Sequence, residues 1–227
     1  MQAIIYYFTG THNTLMVCEK YQEEFAKKGV QCILHPVNQL ANIPDPNKFD
    51  LVGFAYPIHG FNAPYIVYRF VRRLPKVKDK DYFIVKTSGE PVAMNNASSI
   101  HLVKKLKKKG FSRLTNEYHY VMPYNMIFRH TDEQAQKMWH TAQKLIPIDV
   151  EEILTGTHSL LKRPFLGGIV SWALRIEHPA MKINGMGFKV SNKCIRCMKC
   201  VNNCPVQNIT YDKEKDIFPE NDGFMDK

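Results

Sequence analysis

The sequence predicts an α/β fold, a doubly wound parallel five-stranded sheet in the order 2-1-3-4-5, followed by a small cysteine-bearing segment. Three observations carry this. Short β-branched and aromatic runs alternate with helix-length stretches of 3.6-residue periodicity. The runs are apolar at consecutive positions, as in strands covered on both faces. The first run breaks into a polar, glycine-containing turn, where an open α/β sheet places its ligand.

The elements follow in order. QAIIYYF (2–8) reads as a buried strand, and 14–28 as a helix with Leu15, Val17, Cys18, Tyr21 and Phe25 on one side and Gly29 as its stop. VQCILHPV (30–37), DLVGFAYPI (50–58), YFIVKTS (82–88) and the stretch around NEYHYVMP (116–123) supply four further strands. Helices are expected at 63–73, 97–109 and 132–146, the last resuming at 149–155 beyond Pro147. Alternation of strand and helix implies right-handed crossovers and a parallel sheet. Residues 166–190, with four glycines and Pro179, read as a surface linker with one short helix around 167–177. The domains are therefore 1–165, a linker 166–190, and a segment 191–227.

Composition narrows the function classes. With 44% hydrophobic and 11% aromatic residues among 227, the chain can bury a core. No secretory leader pattern is visible, and the longest uncharged stretch, Leu51 to Tyr68, holds Pro57, Gly60, Asn62 and Pro64, which argues against a membrane span. The expectation is a cytoplasmic protein without membrane contact. Net charge is +10; residues 191–227 are balanced at six basic and six acidic, so residues 1–190 carry the whole excess, 25 basic against 15 acidic. Five lysines crowd HLVKKLKKKG (101–110). They read as a solvated helix end or as a docking patch for an acidic partner. No nucleic-acid recognition motif accompanies them.

The turn TGTHNT (9–14) sits between the first strand and the first helix. A helix start offers unpaired N–H groups and the positive end of the dipole. Thr9, Thr11, Asn13 and Thr14 add side-chain donors, and Gly10 permits close backbone approach. Together they form an anion cradle without a basic residue; plain N-capping by Thr and Asn is the alternative. TGTHNT resembles the phosphate loop of flavodoxins, with His12 standing where glycine is usual. Histidine tolerates positive φ, and here it either adds a donor or faces solvent.

The flavodoxin resemblance implies FMN and two further loops around its ring. One is YPIHGFNAP (56–64), with Tyr56, Pro57, Ile58, His59, Gly60, Phe61 and Asn62; the other is TSGEPVAMNN (87–96), with Thr87, Ser88, Gly89 and Glu90. No GxGxxG accompanies them, so a dinucleotide site is not expected.

Cys194, Cys197, Cys200 and Cys204 spell C-x2-C-x2-C-x3-C-P. Tight clusters in a reducing compartment favour a metal or cluster site over disulfides. Zinc sites pair CxxC knuckles at longer separation, and the run resembles the first half of a bacterial ferredoxin domain with a [4Fe–4S] cluster. In two-cluster ferredoxins the fourth cysteine serves the other cluster. The 23 residues after Cys204 hold no further cysteine, so one cluster at most is expected, with its fourth ligand open and a truncated domain or a one-cluster variant as the alternatives. Cys18 and Cys32 read as buried apolar side chains.

The combination resembles the flavodoxin–ferredoxin fusion proteins found mainly in anaerobes. That resemblance implies electron transfer between the cluster and FMN, with a redox partner protein docking on the basic first domain and no residue in a catalytic role. A flavin-dependent reductase of a quinone or nitro compound, or a basic binding module with structural zinc, are the other readings.

Overall fold

The computed structural model describes residues 1–124, 129–177, 180, 190–206 and 209–218. The chain divides into two compact units, Met1–Trp172 and Ala173–Lys227. Part of the expected linker (178–179, 181–189) and part of the expected cysteine segment (207–208, 219–227) lie outside the described residues.

The first unit is a five-stranded parallel sheet ordered β2-β1-β3-β4-β5, as expected. Its strands are β1 (Gln2–Tyr7), β2 (Gln31–Pro36), β3 (Leu51–Pro57), β4 (Lys80–Ser88) and β5 (Phe111–Val121). Its helices are α1 (Asn13–Lys27), α2 (Tyr65–Arg73), α3 (Ile100–Lys108), α4 (Asp132–Thr155) and α5 (Gly167–Ala173). Order reverses at β1, which pairs with both β2 and β3. The carboxyl end of β1 is thus the switch point where an open α/β sheet leaves a crevice.

Strand alternation sorts the core into two layers. Ala3, Ile5, Ala55, Phe83, Val85, Tyr118 and Tyr120 face α1 and α4, packing on Val17, Cys18, Tyr21 and Phe25 from α1 and on Ala142, Ile146, Val150 and Ile153 from α4. The opposite layer is aromatic: Tyr6 stacks on Phe54 at 5.6 Å between ring centres and meets Phe70 of α2 at 5.1 Å, while Phe111 lies edge-on to Phe54 and Tyr82. Each such fully buried side chain contributes about 1.5–3 kcal/mol. Gly53 and Phe83 are register partners on β3 and β4, and the phenyl ring occupies the glycine's missing side-chain space; a Cβ there would lie 2.4 Å from the ring.

Helix ends follow local chemistry. α1 stops where Gly29 takes φ +73° and its N–H bonds the Ala26 carbonyl. α4 begins with a capping box, Thr131 accepting from the Gln134 amide and Gln134 returning to the Thr131 amide.

Three expectations needed correction. Pro147 does not break α4. An interior proline costs about 3 kcal/mol, but Ala142, Ile146, Val150 and Ile153 keep one buried stripe across it, and that packing holds the helix together. β5 starts at Phe111 rather than near Asn116, because two register shifts, each placing an extra β5 residue against β4, let the early part of the strand pair as well, with Asp81 bonded to Ser112 and Arg113. The short helix expected around 167–177 forms as α5 and a 3-10 turn at Leu174–Ile176. α5 is not a mere surface linker, since Ser171 is fully buried and bonded to Asn62.

The second unit holds a short helix, α6 (Lys199–Asn202), and an antiparallel bridge between Asp212 and Ile217. Arg196 and Tyr211 both bond the Asp216 carboxylate beside it. Among the described residues no helix is long and apolar enough to cross a membrane.

Candidate functional site

Four loops meet at the carboxyl edge of the sheet, and the first is the turn 9–14. His12 takes the N-cap position of α1 with φ +69°, the left-handed conformation that glycine adopts most easily. Its carbonyl accepts from the Met16 amide, which starts the helix. Its imidazole is exposed and makes no capping bond. Thr9 Oγ1 is buried without a hydrogen-bond partner. A buried hydroxyl left unpaired is costly, and it marks a place where an acceptor is wanted. Gly10 is exposed, and a Cβ there would meet nothing within 4 Å, so the chain itself does not require glycine at that position.

Thr11 is exposed, and the other two polar residues of the turn, Asn13 and Thr14, are committed to the protein. Asn13 Nδ2 donates to the Pro123 carbonyl at 2.8 Å. Thr14, 1% exposed, meets Thr87 hydroxyl to hydroxyl at 2.8 Å. They lock the turn to the loops after β5 and β4, while the backbone N–H groups of the first turn of α1 stay available by helix geometry.

The second loop follows β3. His59 and Asn62 exchange backbone hydrogen bonds at 2.8 and 2.9 Å around Gly60 and Phe61, both at positive φ (50° and 53°). This is a type I′ turn. Pro57, Ile58, His59, Gly60 and Phe61 are half-buried at the edge, and His59 packs edge-on to Phe8. Two expected contact residues turn inward instead. Tyr56 is fully buried because the strand alternation aims it at the aromatic layer. Asn62, 1% exposed, donates to the Gly60 and Ser171 carbonyls and accepts from the Ser171 hydroxyl at 2.9 Å. Only their backbones can reach a ligand.

The third loop follows β4. Thr87 is the buried partner of Thr14. Ser88 Oγ bonds the Glu90 carbonyl and His119 Nε2 and accepts from Asn95 Nδ2, which also donates to Glu90. Gly89 leaves room for Tyr124: a Cβ there would lie 2.4 Å from the Tyr124 ring. Glu90 is exposed. Beneath this loop lies a buried ion pair, Lys86 with Glu117 at 2.9 Å, at 0% and 1% side-chain exposure. Lys86 also donates to the Asn95 carbonyl at 3.1 Å. Burial pushes the Lys86 ammonium pKa down, partly offset by Glu117. His119 is held down to about 4, first by burial and then by the Lys86 charge, so the imidazole is neutral at physiological pH.

Pro123, Tyr124, His119 and Lys86 were not legible as site residues. Each reaches the edge through tertiary contact, such as the 110-residue separation between Asn13 and Pro123.

In the second unit, Cys194 and Cys204 are half-buried, Cys197 and Cys200 exposed. Arg196 and Met198, inside the two CxxC steps, take positive φ (54° and 58°), and the Arg196 amide donates to Cys194 Sγ at 3.4 Å. Among the described residues no three His, Cys, Asp or Glu side chains are gathered closely enough to hold a metal ion.

Residues 189–210 match the family described as a 4Fe-4S binding domain. The fold of the first unit is shared with a short-chain flavodoxin associated with a non-canonical PDU bacterial microcompartment, at 16% identity over 69% of this chain and 99% of that chain, with a TM-score of 0.50. Similar too are a Streptococcus pneumonia TIGR4 flavodoxin (14% identity, 68% and 99% coverage, TM-score 0.48) and the general stress protein 14 of Treponema denticola in complex with FMN (11%, 67% and 98%, 0.47). No curated protein sequence matches the chain. The first unit therefore has a flavodoxin-like fold. The chain joins that fold to a 4Fe-4S-type cysteine segment, as flavodoxin–ferredoxin fusions do.

Proposed function

We propose that the chain is an electron carrier that binds FMN at the edge of its sheet and an iron–sulfur cluster at its cysteine run. The observation that carries the flavin half is the buried, unpartnered hydroxyl of Thr9 in a turn whose N-cap residue is already left-handed, at the switch point of the sheet. The residues fit the group. Thr9 Oγ1 and the first N–H groups of α1 would hold the phosphate, with Thr14–Thr87 and Asn13–Pro123 keeping them in place. The type I′ turn at 59–62 and the loop 87–90 would flank the ring, the latter shaped by Asn95 and Ser88. No general acid or base is needed from the chain.

The cysteine half rests on donor chemistry: four thiols at ferredoxin spacing within a matched 4Fe-4S segment. The Arg196 amide, already on Cys194 Sγ, would lend hydrogen-bond support that tunes the potential. When bound, a flavin that exchanges electrons singly or in pairs and a cluster that passes them singly supply the redox chemistry.

Anaerobic purification, incubation with FMN and iron plus sulfide, and an absorbance spectrum with flavin, iron and zinc counts test both halves. Stoichiometric flavin together with iron and sulfide is the expected result. Failure to retain flavin defeats the first half; zinc in place of iron defeats the second.

A further inference from the structure

One face of the first unit combines exposed apolar and basic side chains. α5 turns Gly167 and Ser171 inward, where Ser171 is tied to Asn62 and a Cβ on Gly167 would meet Ala97 at 2.7 Å. The outer side of α5 and the turn before it carry Phe165 (100% exposed), Leu166 (53%), Ile169 (65%) and Trp172 (67%). With Ile100 and Lys104 of α3, three of these side chains line a shallow groove of about 340 Å³. Four large apolar side chains exposed within eight residues form a contiguous patch, which marks an interaction surface rather than ordinary scatter.

The exposed charge around the patch has one sign; the one carboxylate nearby is the buried Glu117, 4.0 Å from Arg163. The stretches of sequence that include α3 and α5, residues 91–116 and 153–172, contain no aspartate or glutamate. Lys104, Lys107 and Lys108 follow one another along α3 from the groove outward, and Lys162 and Arg163 precede Phe165. All five are exposed.

We propose that this face seats on an anionic lipid surface, with Phe165, Leu166, Ile169 and Trp172 entering the boundary between headgroups and acyl chains and the α3 lysines lying against headgroup charge. A short helix with an aromatic and aliphatic outer side and a lysine rim fits that role. Protein–protein interfaces are lysine-poor. A second copy would oppose lysines to lysines across an isologous contact. Seven residues of α5 cannot span a bilayer, so the contact is peripheral. This departs from the expectation of no membrane contact, under which PFLGGIVSWALRIEHP reads as an interdomain lid or plain packing. It would also hold the 59–62 turn near the membrane, through the Ser171–Asn62 hydrogen bonds.

Vesicle flotation of the full chain tests the proposal independently of any cofactor. The chain should float with phosphatidylcholine vesicles containing about one third phosphatidylglycerol, not with phosphatidylcholine alone, and raised salt should release it. Partitioning should fall at least about tenfold in K104Q/K107Q/K108Q and in F165S/W172S. Both variants change exposed side chains, and an unchanged thermal midpoint certifies their folding. Failure of the wild-type chain to float with anionic vesicles overturns the proposal. So does equal flotation of F165S/W172S, or a wild-type dimer that F165S/W172S turns into a monomer, which would show a second copy on this face.

Discussion

Thr14 and Thr87 meet hydroxyl to hydroxyl at 2.8 Å in the interior, joining the first residues of α1 to the end of β4. Two loops 73 residues apart in sequence are thereby fixed to one another. Removing one hydroxyl leaves the other buried and unpaired. Thr87→Val should cost about 1–3 kcal/mol in chemical denaturation, and T14V/T87V should recover most of that loss. A double variant as unstable as the sum of the singles would show that the pair is not coupled.

Thr9→Val separates the site from the fold. It keeps the shape and removes an oxygen that has no partner in the protein. The flavin-free chain should melt at the same temperature or higher, while FMN affinity in a fluorescence titration should fall about tenfold, or about 1.4 kcal/mol. Unchanged affinity would remove Thr9 from the cradle.

His12 holds a backbone conformation that disfavours most side chains. His12→Gly should leave FMN affinity intact or improved, and His12→Val should lower stability by about 1–2 kcal/mol. A large loss of affinity in His12→Gly would mean that the imidazole itself meets the phosphate.

Lys86 and Glu117 are buried together under the third loop. Lys86→Met leaves the buried carboxylate with only Arg163, at 4.0 Å, and should cost about 3–5 kcal/mol; K86M/E117Q should regain a good part of it. Lys86 also holds the Asn95 carbonyl, so the single variant should bind FMN more weakly in titrations under conditions where it remains folded.

Two groups give opposite pH slopes. Asp149 is raised to about 6, chiefly by burial. The folded chain therefore holds its proton where the unfolded chain has lost it, and this contribution to stability fades as pH rises from about 4 to 6. His119, held down to about 4, stays neutral in the fold where the unfolded chain would protonate it. Its effect is a loss of stability as pH falls from about 6.5 to 4. Denaturant midpoints between pH 4 and 7 should therefore drop more steeply on acidification in Asp149→Asn and less steeply in His119→Gln. A pH profile unchanged in both would reject the assignment.

What the sequence made legible was local. Alternating runs, the glycine stops and the TGTHNT turn are written in neighbouring residues, and the strand order followed from them. The site residues that stayed hidden depend on what folds against them. Tyr56 and Asn62 belong to the right loop, yet one is aimed by strand alternation into the aromatic layer and the other is claimed by Ser171, 109 residues away. Tyr124 enters only because Gly89 leaves room for its ring. Pro147 signalled a break that a buried stripe on both sides of it overrode. Local signals fail where a long-range contact is worth more than the local preference.

The pairing of Gly53 with Phe83 bears on how this core can change over time. The phenyl ring stands where its neighbour's side chain would be, so the two positions share one volume. Enlarging the glycine alone overfills that volume, and shrinking the phenylalanine alone empties it; either step destabilises. A lineage can exchange the pair only by passing through a weaker ancestor, so descendants should be found with both changed or neither.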